Sequence, residues 1–413
     1  MASEFFAACS LGLEPAVASE LRALGATDVG ERRGGVAFSG DRRVAYQACL
    51  WLRSAVRLSH LLLRDAARSE DELYGVVSSV DWTRFLRLDQ TFAIDASVRD
   101  AALTHSGYTA LKVKDGIVDR FRREAGARPN VDTANPDLLL KVVLHGDTVS
   151  IYRELSGESL HKRGWRPIQV KSPLNEATAA GLLILSGWDR ASTLVDPMCG
   201  SGTFVIAAAC MAADRAPGLG RGFAFERWVD FDSTLWAELR SEARARAKPS
   251  LPFLIEGADR HSGALDLARK GANAAGVFDL IRFTHADALT FRPASPPASV
   301  YVNPPWGERL DEGEDLIESW RDLSRFLHSQ CGGGAAFVLS GDPALTKNLG
   351  LRATKKWVLM NGPIECRFIR YDVHAKAATE PVSAVADGSR TPTESSDPGV
   401  TPYQSPVLPT PTA

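Results

Sequence analysis

The sequence predicts an α/β protein: an open, mainly parallel sheet flanked by helices, preceded by a smaller α+β region. Two stretches carry the prediction. Asp196-Pro197-Met198-Cys199-Gly200-Ser201-Gly202-Thr203 lies between the apolar runs Thr193-Leu194-Val195 and Phe204 to Ala209, and reads as strand, tight turn and helix. Asn303-Pro304-Pro305-Trp306 follows the apolar, β-branched Val300-Tyr301-Val302. Two consecutive prolines cannot extend a ladder, so this loop is rigid and sits at a strand's carboxyl end, where open α/β sheets hold ligands.

The totals set outer limits. A chain of 413 residues suits two or three domains, and 24% charged with 45% hydrophobic residues describes an ordinary globular protein. The formal net charge of −2 gives no overall basic signature, so contact with nucleic acid must rest on local patches. Cys9, Cys49, Cys199, Cys210, Cys331 and Cys366 are scattered without a Cys-x-x-Cys pair, and no histidine has a partner at metal-ligand spacing. Reduced thiols and no metal site are expected. No apolar run reaches about 18 residues, and Met1-Ala2-Ser3-Glu4 lacks the basic-then-apolar order of a secretion signal. A cytoplasmic protein without a membrane partner is the expectation.

Taken in order, residues 1–43 form a small α+β module. Phe5 to Cys9 reads as a strand; Glu14-Pro15 opens a helix with an apolar face at Val17, Leu21 and Leu24, stopped by Gly25; Gly34-Gly35 precedes a second strand. Residues 44–166 alternate helices and strands at higher charge density. Thr91 to Ala96 and Leu138 to Leu144 read as strands, and Lys112 to Arg123 as a basic helix. Lys162, Arg163 and Arg166 form a second basic cluster. His105 and His161 read as turn or core residues.

The larger region spans 167–374. A helix runs from Glu176 to Leu185, and the glycine turn follows. An insert rich in Trp, Phe, Ala and Arg, from about Asp214 to Ser250, delays the next strand end, at Asp259. A helix from Gly263 to Ala274 leads to a strand from Ile281 closing on Asp287. After the double-proline loop come an amphipathic helix, Leu316 to Leu327, a strand, Gly334 to Leu339, and a hairpin about Asn361-Gly362. Residues 375–413, rich in Pro, Ser and Thr, are expected to be disordered.

The glycines leave no Cβ at the turn, so a ligand can approach the backbone and the N–H groups of the following helix. A Walker phosphate cradle needs Gly-Lys-Ser/Thr, which is absent. A dinucleotide site needs a third glycine and an acid about 20 residues on, and neither is present. What remains suits a ligand with an amino-acid moiety and a nucleoside, such as S-adenosyl-L-methionine. The loop answers a different need. An exocyclic base amine is conjugated with its ring and becomes nucleophilic only when drawn toward tetrahedral geometry. The Asn303 side-chain oxygen and the Pro304 carbonyl can each accept one N–H, and Trp306 offers a face for stacking the base.

Several segments resemble one family. They are Ala110 to Asp119, Leu155 to Gly164, Pro173-Leu174-Asn175-Glu176, the glycine turn, and Asn303-Pro304-Pro305-Trp306-Gly307-Glu308-Arg309-Leu310. The chain resembles the THUMP-containing class I S-adenosylmethionine-dependent RNA methyltransferases, and most closely the bacterial 23S ribosomal RNA guanine-N2 (RlmL-like) methyltransferases. The resemblance implies a Rossmann-like sheet of seven strands with the last antiparallel, after a ferredoxin-like part (1–43) and a THUMP RNA-binding domain (44–166). It implies that Asp196, Pro197, Cys199, Gly200, Ser201, Gly202 and Thr203 hold the cofactor with Asn303. It gives Asp259 the ribose hydroxyls and Asp287 the adenine. Catalysis falls to Asn303, Pro304, Pro305 and Trp306, and RNA contact to Lys112, Lys114, Lys162 and Arg163. Family members more often carry tyrosine at the place of Trp306.

The expected reaction is methylation of a guanine N2 in ribosomal RNA. The same mark on transfer RNA is the enzyme alternative, and a non-catalytic RNA-binding assembly factor the alternative of another class. An intact turn and loop argue against the assembly factor, and the missing third glycine against a dinucleotide oxidoreductase. A second methyltransferase domain, fused in some larger relatives, is not expected within these residues.

Overall fold

The computed structural model describes residues 2–165, 174–306 and 316–374. Among these residues the chain builds two sheets. The first contains β1 (Ser3–Ala8), β2 (Thr27–Arg32), β3 (Gly35–Gly40), β4 (Arg57–Ala66), β5 (Thr91–Arg99), β6 (Asn130–Val131), β7 (Leu138–His145) and β8 (Thr148–Glu154), in the order β2-β3-β1-β4-β8-β7-β5-β6. It runs without a break across residue 43, because β1 pairs with β3 on one side and β4 on the other. Helix α1 (Glu14–Ala23) opens with proline in its first turn, and its Glu14 carboxylate accepts the N–H groups of Gly12 and Gly34. One acidic side chain thereby ties the helix start to the β2–β3 turn.

Helix α2 (Arg42–Trp51) is capped by Asp41, whose carboxylate accepts the Val44 N–H, and α3 (Glu70–Ser79) by the Ser69 hydroxyl. The basic helix α4 (Ser106–Ala125) is longer than expected. Its extra turn is fixed by contacts outside the helical pattern: the Tyr108 hydroxyl bonds Glu70 at 2.6 Å, and Lys112, one turn on, lies over the Tyr108 ring. Gly116 lets α4 approach α3 closely, since a Cβ there would come within 2.8 Å of the Val77 side chain.

The second sheet contains β9 (Leu194–Asp196), β10 (Ile255–Asp259), β11 (Ile281–His285), β12 (Ser299–Val302), β13 (Ala335–Ser340), β14 (Ala353–Asn361) and β15 (Ile364–Asp372), in the order β11-β10-β9-β12-β13-β15-β14. The first five are parallel, and β15 is antiparallel to both of its neighbours. Asn361 pairs with Ile364 across the hairpin that the sequence signals. Helices α5 (Glu176–Leu185) and α6 (Thr203–Ala212) are apolar on nearly every face and correspondingly buried. Within the insert lies α7 (Ser233–Ala245), and beyond it α8 (Ser262–Ala274) and α9 (Leu316–Gln330). On α9 the apolar stripe Trp320, Leu323, Phe326 and Leu327 is buried.

The insert joins the two sheets. Tyr46 of α2 stacks on Phe225 with ring centroids 4.3 Å apart, and Phe225 meets the Trp236 edge at 5.1 Å. Arg153 of β8 forms a two-pronged pair with Asp230 at 2.8 and 2.9 Å while lying over the Trp228 ring. The segment expected to be disordered, 375–413, lies outside the described residues, as do Arg166, Pro173 and the motif residues Gly307 to Leu310.

Candidate active site

Strands β9 and β12 are parallel neighbours, with Leu194 opposite Ser299 and Val195 opposite Val300. The glycine turn and the double-proline loop therefore leave the carboxyl ends of adjacent strands. From β9 the chain fills one side with β10 and β11, then crosses to the other with β12 and β13. The two loops flank the crevice where strand order reverses, which is the ligand position in sheets of this kind.

Two glycines of the turn have different reasons. Gly200 has φ of 54°, and a Cβ there would meet nothing within 4 Å, so the backbone borders open space. Gly202 has φ of 79°, and a Cβ there would press within 3.0 Å of the Ala268 Cβ on α8. The first leaves room for a ligand and the second lets two helices meet. The Cys199 N–H donates to the Ala258 carbonyl at 2.8 Å, fastening the turn to β10. Gly257 inside β10 allows that approach, because a Cβ there would lie 3.1 Å from the Cys199 sulfur. Thr203 begins α6, with Ser201 in the turn before it, and Pro197 follows Asp196 at the strand end.

Asp259 does end its strand, β10. Its carboxylate accepts the Gly200 N–H at 2.8 Å and the His261 N–H at 2.9 Å, so it shapes the turn. Asp287 does not end a strand: β11 stops at His285, two residues earlier. Its carboxylate instead accepts the Leu289 N–H at 2.9 Å in a local turn, with the Arg260 guanidinium 3.9 Å away.

At the glycine turn two acids lie close together. Asp196 is 2% exposed, and burial together with nearby Asp259 holds its carboxyl well above the usual carboxylate range. Burial, Asp196 and Asp259 likewise push the Cys199 thiol up. Neither acid forms an ion pair among the described residues. Buried acceptors without a cationic partner, beside a backbone open to solvent, suit a ligand that brings positive charge, and an ammonium or sulfonium group fits.

The Asn303 loop is braced from two sides. The Pro305 carbonyl accepts the Trp320 indole N–H at 2.8 Å, and the Asn303 side-chain oxygen accepts the Trp306 indole N–H at 2.9 Å. The Pro304 carbonyl accepts no hydrogen bond among the described residues and is left for another donor. Trp306 departs from expectation: it is 8% exposed and does not present a free stacking face. Its ring fills the space beside Gly341, where a Cβ would come within 2.6 Å, and its N–H is satisfied by Asn303. Neither Trp320 nor Gly341 is legible as a support from local sequence, because both lie more than a dozen residues downstream. Gly257 was legible as a glycine inside a strand.

The four basic residues expected to meet RNA divide. Lys112 pairs with Glu70 at 3.5 Å, Lys114 with Asp115 at 2.9 Å and Lys162 with Glu158 at 3.1 Å, all in partly or fully exposed pairs that a phosphate can displace. Arg163 is corrected: it is buried and donates to the Arg53 carbonyl, so it holds the fold together. His105 is exposed, and its carbonyl accepts the Thr109 N–H in the first turn of α4. Among the described residues no group of side chains could hold a metal ion, and no helix is long and apolar enough to cross a membrane.

Comparison with known proteins agrees with this geometry. The RMKL-like methyltransferase domain matches residues 163–370, the RlmL ferredoxin-like domain 4–58, and the THUMP domain 67–154. The ribosomal RNA large subunit methyltransferase K/L of Syntrophotalea carbinolica is 39% identical over 402 residues, which cover 94% of this chain and 56% of that protein. The chain thus spans just over half the length of that relative. Among solved structures, "a predicted N6-adenine-specific DNA methylase" from Listeria monocytogenes superposes with a TM-score of 0.82 at 30% identity, covering 90% of this chain and 97% of that one. SMU.472, solved in complex with SAH, gives 0.83 at 28% identity, covering 90% and 98%. The chain belongs to the RMKL-like methyltransferase family, with RlmL ferredoxin-like and THUMP domains ahead of its methyltransferase domain.

Proposed function

We propose that the chain methylates the exocyclic N2 of a guanine in 23S ribosomal RNA, using S-adenosyl-L-methionine. The observation that carries this reading is the placement of the glycine turn and the Asn-Pro-Pro loop on adjacent strands β9 and β12. The names of relatives such as the large-subunit methyltransferase K/L support ribosomal RNA as the substrate. Guanine N2 rests on the family resemblance.

The cofactor supplies an electrophilic methyl group on a sulfonium. Around it, the turn from Asp196 to Thr203 would give backbone room and N–H groups, Asp259 would give carboxylate oxygens for ribose hydroxyls, and Asp287 would meet the adenine amino group. Asn303 and Pro304 each accept one N–H of the base amine and draw the nitrogen toward tetrahedral geometry, so its lone pair leaves conjugation with the ring and is free for the methyl carbon. A carbonyl-type oxygen has two lone pairs, so Asn303 can keep Trp306 and still accept the amine. Stacking on Trp306 would require the indole to leave its buried seat, and the reading does not depend on it. Lys112, Lys114 and Lys162 provide phosphate contacts, and the region ahead of residue 167 is the RNA-gripping part. The test is incubation of the chain and labelled cofactor with unmodified ribosomal RNA and, separately, transfer RNA. Mass spectrometry should find N2-methylguanine in the ribosomal RNA; label only in transfer RNA, or in neither, would refute the proposal.

A further inference from the structure

Away from the methyl-transfer crevice, a cavity of about 420 Å³ lies between the first sheet and the insert. Its walls are β1, β4, the end of β8, the start of α2, the Arg84-Phe85 turn and the Trp228–Asp230 stretch. The volume falls within the roughly 300–1,000 Å³ of small-molecule sites. We propose that this cavity is a second nucleotide site, which takes one unpaired nucleotide with its base against Phe85 and its 5′-phosphate between Arg42 and Arg84.

Three observations support the assignment. The first is charge. Arg153, buried inside, is matched by Asp230, while Arg84 stands exposed and forms no ion pair with a carboxylate among the described residues. Arg42 reaches Asp230 and Asp232 only at 3.7 and 3.9 Å, in exposed pairs a phosphate can replace. The second is the fixed set of donors. The Arg153 Nε–H donates to His60 Nδ1 at 3.0 Å, so the neutral ring must carry its proton on Nε2. Burial and Arg153 hold the His60 pKa down to about 4, which keeps that tautomer at neutral pH. The third is the wall itself. The pairing of β4 with β8 slips between Leu61 and Leu63, and this bulge turns the Leu62 segment toward the cavity. Half-buried Phe85 supplies the aromatic surface, with the Arg153 guanidinium 5.3 Å from its ring centroid.

A nucleotide held here would come from the RNA substrate or from the free pool. For the RNA source the inference rests on the proposed function. The site would then hold an extruded nucleotide while a separate guanine occupies the crevice. The experiment uses the full chain with saturating S-adenosylhomocysteine to block the crevice. The probes are uridine 5′-monophosphate and a single-stranded pentaribonucleotide bearing 5-iodouridine. Photo-crosslinking should mark the peptide containing Phe85. Arg84→Ala and Phe85→Leu should each weaken binding about tenfold, as loss of one phosphate or stacking contact does. Binding of the pentanucleotide assigns the site to RNA, and binding of the monophosphate alone assigns it to a free nucleotide. Unchanged affinity in both variants, or crosslinks confined to other segments, would overturn the proposal. A Phe85 crosslink in a chain that methylates no RNA would retain this site and refute the methyl-transfer reading, so the two fail separately.

Discussion

The Trp306 indole N–H donates to the Asn303 side-chain oxygen at 2.9 Å. That single bond fixes which way the amide faces, since an Asn side chain free to rotate would present nitrogen and oxygen about equally. The residue expected to stack on a base is therefore, in this structure, the residue that sets the orientation of the proposed amine acceptor.

Trp306→Phe keeps a ring beside Gly341 and removes only the N–H. Turnover should fall about tenfold while the KM for RNA stays close to wild type, because amide orientation matters most as the amine pyramidalises. Steady-state kinetics of the variant decide this, and a wild-type kcat would show that the indole bond plays no part.

Asn303→Ala should reduce turnover by about 10²- to 10³-fold, the usual effect of losing one preorganised acceptor or donor at a reacting group. Cofactor affinity, measured by calorimetry, should stay within a few-fold. Unchanged turnover would remove Asn303 from the mechanism.

Asp259→Ala removes a carboxylate that also accepts the Gly200 and His261 N–H groups. The cofactor dissociation constant should rise by about tenfold or more, since both the ribose contact and the shape of the turn are lost. A normal constant in this variant would rule out the proposed contact.

Asp196 has a raised folded-state pKa from burial. For such an acid, stability is fully present below the unfolded pKa and is lost as pH rises through the folded one. Ligand binding runs the other way. A cationic ligand favours the ionised carboxylate, so binding should release a proton, and affinity should climb with pH through the raised pKa. Calorimetry in two buffers of different ionisation enthalpy measures the proton count; no release, or equal release in Asp196→Asn, would refute the linkage.

Arg153→Met leaves Asp230 without its two-pronged partner and strips the guanidinium from Trp228. Because Asp230 is about a third exposed, the cost should be lower than for a fully buried pair, about 2–3 kcal/mol. Urea unfolding reads this directly, and Arg153→Met with Asp230→Asn should recover part of the loss.

Much of the architecture was written locally. Asp196 to Thr203 encodes a strand, a glycine turn and a helix through side-chain size and period alone, and Asn361-Gly362 encodes its hairpin in the same way. The extra turn of α4 was not legible, because Tyr108 is held by Glu70, nearly forty residues earlier. Asp287 was misplaced at a strand end because ladder pairing, and not β-branched composition, decides where β11 stops.

Residue types and their spacing are enough to show a tight glycine turn after one strand and an amide with two prolines after another. The assembled fold settles how these groups are used. It placed both loops on adjacent strands, gave Asp259 to the turn, buried Arg163, and turned Trp306 inward. The division has a physical cause: turn geometry depends on a few neighbouring torsions, whereas burial, ion pairing and side-chain orientation depend on residues brought together from distant parts of the chain.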